Sequence, residues 1–145
     1  MTVVTASKCI FCAISKREDA QSARVIYSDG VWEALLVLHP ATYGHLIIFP
    51  RNHYISLHSM GVLAGDLTIK AVQLAEEAIK RLKASGYYLK ANNDIYTIEH
   101  TNPSHVPHIH MHIVPRYSTD DSFGPLGSEE LQAYFNECVA LLSMT

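Results

Sequence analysis

Between His108 and Val114 the chain alternates: His108, His110 and His112 are separated by Ile109 and Met111, and Ile113 and Val114 follow. A period of two is that of a β-strand, whose successive side chains point to opposite faces, and Ile and Val favour that conformation. The segment therefore reads as a strand with three imidazoles on one face and Ile109, Met111 and Ile113 on the other. Earlier β-rich runs read the same way. Residues 24–27 and 31–37 predict two strands joined at Ser28-Asp29-Gly30, with Gly30 free to take positive φ in a hairpin turn. Residues 39–44 form a loop broken by Pro40 and Gly44, and 45–49 a third strand closed by Pro50. Residues 94–99 predict a fourth strand, and the histidine run is the fifth.

Helical spacing intervenes. Leu67, Ala71, Leu74, Ala75, Ala78, Ile79 and Leu82 recur at three- and four-residue intervals, with Glu76, Glu77, Lys80, Arg81 and Lys83 on the remaining face. This predicts one amphipathic helix of about five turns, stopped at Ser85-Gly86. A second helix opens at Ser128 as N-cap with Glu129 and Glu130 in its first turn, and carries Leu131, Tyr134, Phe135, Cys138, Leu141 and Leu142 on its inner face. Several strands in hairpin order with few helices predict an α+β fold with a mainly antiparallel sheet.

Composition narrows the class. A chain of 145 residues, 48 % hydrophobic and 17 % charged, without repeat or linker, fits one globular domain. A net charge of −3 argues against a nucleic-acid partner. No apolar run is long enough for a membrane span, and the N-terminus lacks the pattern of a signal peptide. The cysteines are Cys9, Cys12 and Cys138, an odd count that does not resemble a secreted disulfide framework, so a cytoplasmic setting is expected.

Two features carry chemistry. Cys9 and Cys12 form a C-x-x-C pair able to chelate one tetrahedral ion. A redox role needs a preceding thioredoxin-like strand, and only a short polar leader is present. Zinc is the favoured reading because histidines are plentiful downstream; the spacing alone does not say which two complete the site. A Cys2His2 set would be closed and structural. The three histidines of the strand suit either of two chemistries: ligands to a catalytic metal with an activated water, or one neutral imidazole as nucleophile with its tautomer fixed by a neighbour. His110 is best placed for the second, lying between two histidines. Arg51 and Arg116 are candidate phosphate contacts or simply solvated, His39, His58 and His100 read as loop or surface residues, and Asp120-Asp121 as a polar turn.

The run His108 to Val114 matches throughout the pattern His-φ-His-φ-His-φ-φ, with φ apolar, and Cys9-Ile-Phe-Cys12, Gly44-His45-Leu-Ile-Ile-Phe-Pro50, Arg51-Asn-His53 and Pro115-Arg116 stand around it in order. Over residues 9–117 the chain resembles the zinc-carrying bacterial branch of the histidine-triad (HIT) family. The resemblance implies one HIT-like domain over residues 1–145, with a core at 9–117 and a C-terminal extension at 118–145: a five-stranded, mainly antiparallel sheet with one long helix packed on it and a C-terminal helix, usually as a homodimer. It implies a nucleotide hydrolase or nucleotidyl transferase, acting on a phosphoramidate or dinucleoside polyphosphate at the α-phosphate. His110 would form a nucleotidyl-histidine intermediate, His112 and His45 would contact the phosphate, and a structural Zn would sit on Cys9, Cys12, His53 and His108. No catalytic metal is then expected.

Two departures stand out. Upstream of the triad many relatives carry Asn followed by Gly-Gln-Ser; residues 99–107 are built differently here, with Asn102, Ser104 and His105 as candidate substrate contacts alongside Arg116. Relatives often bind the ribose through an acid eight residues before the histidine matched by His45; that position is Val37, which offers a diol no acceptor, leaving Glu33 or a backbone carbonyl as substitutes. Outside enzymes, the same residues fit a nucleotide-binding or zinc-stabilised interaction protein with little turnover.

Overall fold

The computed structural model describes residues 9–93, 106–118, 121 and 123–144. Its centre is a five-stranded antiparallel sheet in the order β1-β2-β3-β5-β4, formed by β1 Val25–Ser28, β2 Trp32–Leu36, β3 Leu46–Pro50, β4 Gly86–Ala91 and β5 Met111–Arg116. Among the described residues four α-helices accompany it: α1 Ile10–Ser15, α2 Leu57–Met60, α3 Leu63–Leu82 and α4 Ser128–Leu142, with a 3-10 turn at Ala20–Arg24.

Strand alternation assigns the two faces. Ala34, Leu36, Leu46, Ile48, Met111 and Ile113 point into the larger core, against Leu67, Ala71, Leu74 and Ala78 of α3 and Tyr134, Phe135, Cys138 and Leu142 of α4. Leu35, Ile47 and Phe49 point the other way, against Cys9, Phe11, Cys12 and Ile14. The apolar stripe of α3 is therefore buried as the spacing predicts, and the triad histidines emerge on the face covered by α1.

The architecture agrees with the α+β expectation, with differences in detail. The expected strand at 94–99 falls outside the described residues. The strand preceding β5 is β4, where Tyr87, Leu89 and Ala91 pack on the core while Tyr88 and Lys90 face outward. The helix stop expected at Ser85-Gly86 comes earlier: Lys83 adopts the left-handed conformation (φ 58°) directly after Leu82, which frees Gly86 to begin β4. The N-cap of α4 is Gly127, with Ser128 as the first helical residue. The β1–β2 turn does not use positive φ at Gly30; the Asp29 carboxylate closes it by accepting from the backbone N–H groups of Val31 and Trp32, each at 2.7 Å. Positive φ occurs instead at Gly44 (86°), packed so closely on α3 that a β-carbon there would lie 2.5 Å from Leu82 Cδ1.

One buried ion cluster fastens α1. The Glu33 carboxylate is fully buried and accepts from Ser28 Oγ (2.6 Å), Arg17 (3.1 Å) and Arg51 (3.0 Å). The same arginines donate to the Ile14 and Ser15 carbonyls at the end of α1, at 2.9 and 3.0 Å, where cations complement the helix dipole. Glu33 and Arg51 are thus engaged with each other, which accounts for them without a ribose or phosphate contact.

Candidate functional site

Two centres lie side by side along the entry to β5. The first gathers Cys9, Cys12, His53 and His108, whose donor atoms all lie within 4.8 Å of one another. Cys9 caps the start of α1, Cys12 lies one turn on, His53 follows β3, and His108 precedes β5. His108 Nδ1 is 3.3 Å from Cys9 Sγ, 3.6 Å from Cys12 Sγ and 3.2 Å from His53 Nδ1, and Cys12 Sγ is 3.4 Å from His53 Nδ1. Tetrahedral zinc, with bonds of about 2.0–2.3 Å, separates its donors by about 3.3–3.8 Å. The ring orientation of His108 fits a ligand too. Its Nε2–H donates to the Pro50 carbonyl at 2.8 Å, so the neutral ring keeps its lone pair on Nδ1, facing the sulfurs. Burial, and then Cys9, push the Cys12 thiol up to about 11. Burial also lowers His108 to about 4, against an opposing effect of the Pro50 carbonyl. A cation is what would turn buried thiols of this kind into thiolates.

The second centre holds His45, His110 and His112 in a cleft of about 350 Å³, floored by Leu35 and Ile47 and walled by Phe11 and Val37. Its hydrogen bonds determine the neutral tautomers. His110 Nδ1 lies 2.9 Å from the His108 carbonyl oxygen, which can only accept, so the ring proton is on Nδ1 and the lone pair on Nε2. The backbone N–H of Ala41 donates to His45 Nδ1 at 2.9 Å. His45 must then carry its proton on Nε2 and donate to His112 Nδ1 at 2.9 Å, which leaves the His112 proton on Nε2. One ring is set to give an electron pair and its neighbour to give a proton. Phe11 meets the His110 ring edge-on at 5.0 Å and stacks on Phe49 at 4.5 Å, so α1 packs against both centres.

Of the residues predicted from sequence, the structure brings Cys9, Cys12, His53 and His108 together as one cluster and His45, His110 and His112 as another. Asn102, Ser104 and His105 lie outside the described residues, as does His100. Arg116 is not among the residues lining the cleft; its Nε donates to the Asp121 carboxylate at 3.0 Å, and that contact holds Asp121 down at about 2. Asp121 also accepts from the backbone N–H of Tyr117 at 2.7 Å, so this polar turn is tied to the end of β5. Val37 lines the cleft, half-buried, and His39 lies at its exposed edge. Sequence reasoning missed Phe11, Gln21 and Arg24 as lining residues, and the Pro50 carbonyl and Ala41 amide as partners of histidines. Backbone groups leave no trace in residue identity; Phe11, between the two cysteines, is the one available signal.

Burial holds His45 neutral, lowering it from 6.5 to about 4. The unfolded chain binds a proton at that histidine below pH 6.5 and the folded chain does not until about pH 4. The contribution is therefore complete above pH 6.5 and lost as pH falls toward 4, by about 3 kcal/mol at most. Urea unfolding at stepped pH should show a steeper acid loss in the native protein than in His45→Gln. Equal slopes would contradict a buried neutral His45.

Comparison with known proteins agrees with this geometry. The HIT domain family model matches residues 18–119. An uncharacterized HIT-like protein of Methanocaldococcus jannaschii is 32 % identical over 132 residues, covering 89 % of this chain and 97 % of the relative. Protein hit of Bacillus subtilis is 32 % identical over 130 residues, covering 89 % and 85 %. A Zn-bound histidine triad family protein from Mycobacterium smegmatis superposes with a TM-score of 0.69 at 26 % identity, covering 94 % of this chain and 96 % of the other. With the triad leading into β5 and a family match across most of its length, this chain belongs to the HIT family.

Proposed function

We propose that this chain is a nucleotide hydrolase or nucleotidyl transferase that acts at the α-phosphate through a covalent nucleotidyl-His110 intermediate. The observation that carries the reading is the His110 Nδ1 contact with the His108 carbonyl, which puts the lone pair on Nε2. In the first step that pair forms an N–P bond while the bond from phosphorus to the leaving group breaks; the leaving group departs with its electron pair and takes up a proton. In the second, water attacks phosphorus and releases a proton to solvent, balancing the one the leaving group took from solvent; the N–P bond breaks, its electrons return to Nε2, and a nucleoside monophosphate leaves. The His112 Nε2–H donates to a phosphoryl oxygen as charge builds there. His45 keeps His112 in that tautomer. Asn102, Ser104 and His105 are proposed as further substrate contacts. A phosphoramidate and a dinucleoside polyphosphate both supply such a leaving group.

The cluster on α1 is proposed to hold zinc, as the name of the Mycobacterium smegmatis protein records for that relative. Two thiolates and two neutral imidazoles would complete its coordination without an open position, so the ion would supply folding energy and fix His108. The triad-as-ligands reading is weaker, because His108 faces the sulfurs and the His112 Nδ1 lone pair already accepts from His45. Three buried free cysteines and the absence of any helix long and apolar enough to cross a membrane among the described residues support a reducing, cytoplasmic setting for a protein that would act as a homodimer.

Incubation with a nucleoside phosphoramidate followed by mass spectrometry without acid should reveal a nucleotidyl adduct. His110→Ala should remove the adduct and at least about a thousandfold of the turnover, as loss of a covalent nucleophile does. Near-normal hydrolysis by that variant would overturn the mechanism, and a folded native protein that binds nucleotide without forming the adduct would favour a binding protein. For the metal, elemental analysis should give one zinc per chain. Cys9→Ser and Cys12→Ser should lose both the metal and several degrees of Tm; full occupancy in either would contradict the assignment.

A further inference from the structure

The cleft that holds His45, His110 and His112 extends across the sheet to a cationic side chain, Arg24. His112 on β5 stands opposite Ile47 on β3, and Ile47 opposite Leu35 on β2. These three side chains make one row on the α1 face, and the two strand spacings between its ends amount to about 10 Å. At the far end lies Arg24, the last residue of the 3-10 turn, which lines the same cleft. Its Nε donates to the Leu36 carbonyl at 3.1 Å, another of its nitrogens donates to Gln21 Oε1, and its guanidinium lies 4.8 Å from the centre of the Phe135 ring. These contacts hold the guanidinium beside the end of β2, where the cleft meets the groove along α4.

Its charge is not matched. Among the described residues no carboxylate oxygen lies within ion-pair distance of Arg24, although Asp19 acts on it through space. It is half-buried, and the loss of hydration lowers its pKa, so an anion placed against it would restore part of the favourable solvation that folding removes. The chain has a net charge of −3, yet the described walls of the cleft carry Arg24, His39 and the three inner histidines, and no Asp or Glu. At Val37, between the two ends, there is no carboxylate to repel an anionic substituent on a sugar. Beyond Arg24 a larger groove of about 560 Å³ opens between the 3-10 turn and α4, so a bulky substituent there meets no wall.

Resting on the nucleotide reading of the same cleft, we propose that Arg24 forms a second phosphate subsite, and that the preferred nucleotides carry an additional phosphate on the ribose. The first phosphate lies against His110 and His112; the ribose crosses Ile47 and Leu35; its own phosphate accepts a pair of hydrogen bonds from the remaining Arg24 N–H groups. Arg24 is then a specificity-determining residue that takes no part in bond making.

The test is calorimetric titration of the full-length, metal-loaded protein with adenosine 5′-monophosphate, adenosine 2′,5′- and 3′,5′-bisphosphates, ADP and guanosine 5′-monophosphate. At least one ribose bisphosphate should bind at least about tenfold more tightly than the monophosphate, the gain expected of one charge-assisted contact. That ratio should fall to within about threefold of unity in Arg24→Gln and be partly kept in Arg24→Lys, whatever the absolute affinities. Thermal unfolding of both variants identifies any loss of fold, and the Lys variant keeps the test decisive if the Gln variant unfolds. The subsite is overturned if the ribose bisphosphates have no advantage, if their advantage survives in Arg24→Gln, or if an Arg24-dependent gain appears only with ADP or the guanine nucleotide. In that event the parent reading stands provided the monophosphate still shifts the imidazole NMR signals of His110 and His112. If no nucleotide shifts them, the nucleotide reading falls as well.

Discussion

His108 is the residue on which both centres depend. Its ring faces two cysteines and His53, and its carbonyl oxygen receives the Nδ1 proton of His110. The side chain and main chain of one residue therefore serve different chemistries. Anything that fixes the His108 ring also fixes the peptide unit that orients the His110 lone pair. The Pro50 carbonyl does this from β3, and the main chain is tied again where the Ile109 N–H donates to the Tyr54 carbonyl at 2.7 Å.

This arrangement explains why a six-residue helix matters in the structure. α1 is too short to be stable alone. It is held at its start by its cysteines within the cluster, along its length by Phe11 between Phe49 and the triad, and at its end by Arg17 and Arg51 above the buried Glu33. A fully buried carboxylate with two arginines and a serine is costly to desolvate, and its use here is to specify one position for the helix. Phe11 then limits the His110 ring from the side opposite the sheet.

Much of this was legible in sequence, where a short-range rule governed it. The alternation of imidazoles and apolar residues gave the two faces at β5, and the period of the apolar positions in α3 gave its buried stripe. The C-x-x-C pair and the pattern around His110 located both centres. What was not legible depended on main-chain geometry and long-range contact. The left-handed turn at Lys83 moved the end of α3 and exposed a strand in Gly86–Ala91 whose alternation is weak in hydrophobicity, since Tyr occupies both faces. By residue type Glu33 and Arg51 suit a ligand contact, but in the fold they pair with each other across β2 and β3. The proton positions in the triad are set by the Ala41 amide and the His108 carbonyl, which any residue type provides.

Backbone groups set different tautomers on His110 and His112, and the chemistry of the second centre turns on that difference. Long-range 1H–15N correlation spectra of the imidazoles, recorded on the ligand-free protein at neutral pH with His110→Ala and His112→Ala for assignment, read this directly. The account predicts a protonated Nδ1 and bare Nε2 for His110, with the opposite arrangement for His112. A proton on Nε2 of His110, or the same tautomer on both rings, would contradict it.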